Sequence, residues 1–132
     1  FGQGVAEDPV EAVRLYRLAA DQGYALAQSN LGLLYLFGEG VAQDNAESVR
    51  WFRLAADQGD AAAQYNLGVA YARGEGVAQD HVEAYMWLNL AAAQGNDEAQ
   101  EEKSRLEQTM SREEISEAQR MSREWFTSHS PK

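Results

Sequence analysis

Few side chains in this chain have the types and spacing that chemistry needs. Of the two histidines, His81 follows Asp80, and Pro9 and Asn45 stand at the same point of the sequence pattern, so the position accepts unrelated side chains. His129 lies near the end of the chain with no second histidine at metal-ligand spacing, and no cysteine exists to supply a thiolate. The acid pairs Glu101-Glu102 and Glu113-Glu114 are neighbours in sequence, so on a helix they diverge as solvated faces instead of converging on one proton. Gly38-Glu39-Gly40 has the composition of a phosphate loop, but it follows a helical pattern, whereas a phosphate loop leads from a strand into a helix. No nucleophile stands at a recognisable spacing from a base and an orienting third group. The residues predict no catalytic site, no metal and no cofactor.

The elements that would position any site are far more legible. Val5, Val41 and Val77 stand 36 residues apart, and Asp8, Asp44 and Asp80 follow in the same register. Ala19-Ala20, Ala55-Ala56 and Ala91-Ala92 do the same, each followed by Gln-Gly. A fixed period of this length marks stacked helix pairs that bury a core only against their neighbours. In the first helix of a unit, Ala27, Leu31, Leu34 and Tyr35 form an amphipathic stripe. Gly38 and Gly40 end that helix, and Asp44 with Glu47 predicts a capping box at the start of the second. Asp8 with Glu11 and Asp80 with Glu83 predict the same device. Gly32 and Gly68 lie inside helices, where glycine costs about 1 kcal/mol relative to alanine, so they predict a crossing too close for a side chain. Leu15, Tyr16, Trp51, Phe52, Trp87 and Leu88 are expected to fill the space between pairs.

The fold class predicted is therefore all-α, and residues 1–132 read as a single repeat domain. Residues 1–23 hold a partial unit with only its second helix, 24–59 and 60–95 are full units, and 96–126 form a divergent helix plus a capping helix opened by Ser111 and Glu114. Residues 127–132 are expected to be a loose tail. The start at Phe1, with Gly2-Gln3-Gly4-Val5 matching Gly38-Glu39-Gly40-Val41, predicts a piece of a longer array whose N-terminal face around Val10, Val13 and Tyr16 is open. Through that face, with help from the Phe1 region, the chain could form a homodimer.

With 21 acidic against 11 basic residues the net charge is −10, which repels phosphate backbones and anionic membrane surfaces and attracts basic proteins or peptides. No apolar run approaches a membrane span.

The pattern Ala-x-x-x-Leu-Gly-x-x-Tyr-x-x-Gly-x-Gly-Val is carried by Ala27, Leu31, Gly32, Tyr35, Gly38, Gly40 and Val41. It returns at Ala63, Leu67, Gly68, Tyr71, Gly74, Gly76 and Val77. In both copies an Asp and then Ala-Ala-x-x-Gly follow. It resembles the Sel-one-like repeat (SLR), a relative of the tetratricopeptide repeat, with an ending similar to those of bacterial members. The resemblance implies a right-handed α-α superhelix whose first helices line a concave face, and an adaptor role in which a protein or peptide is bound. Exported, periplasmic and cytoplasmic placements all stay open. On that face helical geometry places Leu26, Ser29, Asn30, Leu33 and Phe37, with counterparts Ala62, Tyr65, Asn66, Val69 and Arg73. Asn30 and Asn66 have two readings: to bond a ligand backbone, or to bond within the solenoid and hold its turns. A non-catalytic interaction scaffold leads. A structural spacer or self-assembling segment comes second, and a hydrolase or small-ligand pocket third.

Overall fold

The computed structural model describes residues 8–130. Among them are seven helices: α1 (Pro9–Asp21), α2 (Ala25–Phe37), α3 (Asn45–Asp57), α4 (Ala61–Arg73), α5 (His81–Ala93), α6 (Asp97–Glu107) and α7 (Arg112–His129). From α1 to α6 each helix packs on the next, and α7 turns back onto α5. The result is an all-α solenoid in which α2–α3 and α4–α5 are successive pairs.

The helix-internal glycines set how close the pairs come. A Cβ on Gly32 would sit 2.7 Å from Phe52 Cε1, and one on Gly68 would sit 2.7 Å from Leu88 Cγ. Removing the methyl lets one large side chain per pair lie flat on the partner helix, and Phe52 and Leu88 are buried as a result. Trp51 and Trp87 are buried beside them, whereas Leu15 and Tyr16 are left part-exposed. Gly40 and Gly76 work between units. Both have positive φ, and a Cβ there would meet the backbone oxygen of Pro9 at 2.2 Å or of Asn45 at 2.3 Å.

Asp8, Asp44 and Asp80 cap α1, α3 and α5 as expected, each accepting from the backbone N–H three residues on. The reciprocal half of the predicted box is not made. The backbone N–H groups of Asp44 and Asp80 already donate to the carbonyls of Tyr35 and Tyr71, both at 3.0 Å. Glu47 pairs with Arg50 instead, as Glu11 does with Arg14. The full box forms at Ser111–Glu114, where no preceding helix competes for the cap N–H.

Glutamines sew the units together. The amides of Gln28 and Gln64 are buried and donate to the carbonyls of Ala20 and Ala56, both at 3.2 Å. Each then accepts from a glutamine of the next turn, Gln58 at 2.8 Å and Gln94 at 2.9 Å. The inner rungs, Gln28 and Gln64, lie where water does not readily replace a lost partner, whereas Gln58 and Gln94 reach in from exposed positions.

The expected loose tail is a correction. The last helix continues through Thr127 to His129. His129 stacks on Trp125 with ring centroids 3.9 Å apart, and its Nε2 lies 3.0 Å from Asp57 Oδ1. Aromatic stacking and an acidic partner across the solenoid hold this final turn, while residues 131–132 lie outside the described residues.

Candidate functional site

The ten residues expected on the concave face do not form one continuous surface. Five of them, Phe37, Tyr65, Asn66, Val69 and Arg73, line a groove of about 440 Å³ between α2 and α4. The N-terminal part of α3 makes its floor, with Val49 and Phe52 as apolar surface. Leu26 and Asn30 line a separate, more apolar hollow of about 550 Å³ with Leu15, Tyr16 and Tyr24. Leu33 is half-buried against the central core, and Ala62 is exposed but lines neither cavity. Ser29 is a correction: it is 4% exposed, packs inside the solenoid and lines neither cavity. Its counterpart Tyr65 reaches the groove because its ring is too long to be enclosed at the same point.

The alternative role of the asparagines belongs to other residues. The amides that hold units together are those of Gln28 and Gln64, and neither Asn30 nor Asn66 has a side-chain hydrogen bond among the described residues. Both amides thus remain available to donate and accept at the cavity surface.

At the groove, burial raises the Tyr65 phenol above its ordinary value, the Glu98 and Glu102 carboxylates adding to the shift while Arg73 and Arg105 oppose it. The phenol is neutral in the physiological range and serves as a hydrogen-bond donor. Gln43 Nε2 donates to Asn45 Oδ1 at 2.5 Å, which leaves the Asn45 amide N–H groups free at the groove edge. Sequence reasoning missed Ser48 on the floor. Its signal was a departure from the repeat, since Ala12 and Ala84 occupy the same register.

A second cleft is lined by Asp57, Gln94, Trp125 and His129, and Ser128, outside that lining, extends a run of contacts from serine through histidine to aspartate. Ser128 Oγ is 2.9 Å from His129 Nδ1, and His129 Nε2 is 3.0 Å from Asp57. The hydroxyl, however, donates to the Trp125 carbonyl at 3.0 Å, which also faces His129 Nδ1 at 2.8 Å. These bonds close the end of α7 and do not prime a nucleophile. Among the described residues no group of three His, Cys, Asp or Glu is placed to hold a metal ion, and no helix is long and apolar enough to cross a membrane.

Paired helices of fixed period, closed by a polar final pair, define an α-solenoid repeat protein. The sequence pattern of the Sel1 repeat family matches residues 1–24, 25–60 and 61–96. The chain belongs to the Sel1 repeat family. The matched units begin one residue later than the boundaries read from the sequence at 24 and 60. The fold is similar to the crystal structure of a protective antigen present in uropathogenic Escherichia coli strains and displaying an SLR fold. That likeness has a TM-score of 0.88 and 34% identity, covering 92% of this chain and 26% of that one. A Sel1 repeat protein from Oxalobacter formigenes is also similar, with a TM-score of 0.69 and 37% identity over 71% of this chain and 39% of that chain. The chain thus spans about a quarter and two-fifths of the length of these two proteins. No curated protein matches the sequence. Sel1 repeat proteins are typically interaction scaffolds.

Proposed function

We propose that this chain is a non-catalytic adaptor module that binds an extended segment of a partner protein in the groove between α2 and α4. The observation that carries the reading is the convergence there of Phe37, Tyr65, Asn66, Val69 and Arg73 over the apolar floor of α3. An apolar trough rimmed by unpaired amides suits a peptide, whose backbone alternates donors and acceptors along an apolar footprint. Interaction scaffolding is the typical role of the family, which supports the reading. Tyr65→Ala and Asn66→Ala, each checked for an unchanged helical spectrum, are expected to weaken partner capture by about tenfold or more. Retained capture by both folded variants would move binding elsewhere on the molecule.

A second reading, self-association, draws on the N-terminal face. Leu15 is 40% exposed, whereas Trp51 and Trp87 in the same register are 3% and 5% exposed beneath a covering helix. Val10 is exposed too, but Val13 is buried against α2, so the open face is narrower than the sequence implied. The Phe1 contacts expected of such a dimer lie outside the described residues. Light scattering decides this reading, since a monomeric mass at high concentration removes it.

A further inference from the structure

We infer that the groove between α2 and α4 is specialised for a peptide segment carrying an apolar side chain beside an aspartate or glutamate, with Ser48 as a buried recognition hydroxyl and Arg73 as the carboxylate partner. This rests on the groove being the binding site. It adds the chemistry that the site selects.

Ser48 is 1% exposed on the groove floor, and its Oγ has no hydrogen-bond partner. An unpaired buried hydroxyl costs about 1–3 kcal/mol, and the fold does not require this one. Ala12 and Ala84 hold the equivalent places on α1 and α5. The middle unit alone carries a polar atom, unpaired, beneath the groove. A ligand group reaching the floor would supply the missing partner.

Position 73 has no common residue across the units, with Phe37 and Thr109 in register, so what singles out Arg73 is its place in the groove. Arg14, Arg50, Arg105 and Arg120 each hold a glutamate, and Arg17 and Arg53 each donate to a tyrosine hydroxyl. Arg73, like Arg112 and Arg123, does neither among the described residues, although Glu75 lines the same groove. In a chain of net charge −10 this guanidinium is a positive group without an ion-pair partner on the groove lining, where Glu75 is the acidic residue. Its planar fork suits a carboxylate. The whole-chain charge draws basic partners from a distance, but at contact the groove offers donors: the guanidinium, the Asn45 and Asn66 amides and the Tyr65 hydroxyl.

The test is selection of random linear peptides displayed on phage against the whole chain, followed by affinity measurement on Ser48→Ala, Arg73→Thr and Tyr65→Ala. The first two substitutions install residues that the sister units already carry. The inference expects enriched peptides to pair an apolar residue with Asp or Glu. It expects Ser48→Ala and Arg73→Thr each to lose about tenfold in affinity, with Ser48→Ala melting at the same or a higher temperature. Peptides that lose binding on Tyr65→Ala but ignore Ser48→Ala and Arg73→Thr, or that lack an acidic residue, would overturn the inference and leave the groove reading standing. Failure to select any peptide sensitive to Tyr65→Ala would overturn both.

Discussion

Single atoms decide the spacing of this solenoid. Gly68 has Leu88 against its face at a distance that excludes a methyl group. Gly68→Val is therefore expected to force the α4–α5 pair apart at a cost of about 2 kcal/mol, read as a lower urea midpoint with an unchanged slope. Gly32 was legible in the sequence as a close crossing. Its partner Phe52 was not, because periodicity identifies a face without saying which side chain of the opposing helix meets it. Tyr85 makes the corresponding point for charge. Burial first, and then the Glu107 carboxylate that accepts its hydroxyl proton at 2.6 Å, push the phenol up to about 12. A folded value above the unfolded one, near 10, means that the folded protein keeps a proton which the unfolded chain releases. Stability is then fully present below pH 10 and falls between pH 10 and 12. Tyr85→Phe should flatten that alkaline decline, measured as urea midpoint against pH.

The helices differ in how much of themselves they bury, and each difference follows from position in the stack. On α5, Tyr85, Trp87, Leu88 and Leu90 are all buried, because α4, α6 and α7 surround that helix. Its sequence is accordingly apolar nearly all round. At the far end, α6 gives up the Asn-Leu-Gly of earlier first helices for Glu102-Lys103-Ser104, and Lys103 Nζ donates to Asn89 at 3.0 Å where an apolar contact would stand. The cap was legible from that loss of apolar surface. The length of α7 was not, since Thr127, Ser128 and His129 carry no helical signal of their own. Their order comes from the Trp125–His129 stack and from Asp57, 72 residues earlier in the chain. Trp125 also meets Trp87 edge to face with centroids 6.4 Å apart. Trp125→Ala is thus expected to fray the last turns of α7 and destabilise the domain by about 2–3 kcal/mol, seen as earlier amide exchange in residues 122–129 and a lower melting temperature. Asp57→Asn, which removes one exposed partner, should cost less than about 1 kcal/mol by the same measurements.

For the molecule as a whole, stability is a sum over units and the contacts between neighbours. The glutamine ladder and the glycine crossings recur with the period, so a unit can be removed in register. Deleting residues 41–76 and joining Gly40 to Val77 is expected to leave a folded helical protein with a smaller urea slope, because less surface is exposed on unfolding. That shortened chain also lacks Ser48, Asn66 and Arg73, and it should lose groove binding altogether. A deletion variant that fails to fold would show that the two full units are not interchangeable modules.

The sequence by itself determined the period, the helix pairs, their caps and glycine stops and the polar ending. All of these depend on contacts within one helix or one repeat, which residue type and spacing encode directly. Only the tertiary structure decided that Ser29 is enclosed while Tyr65 is not, that the concave face divides into a groove and a separate hollow, and that His129 anchors the final helix. These depend on which side chains meet across a unit boundary and how much room each finds there. The repeat is nearly exact, so its packing is nearly uniform. The recognition proposed for Ser48 and Arg73 draws on the groove they share, which no single repeat shows.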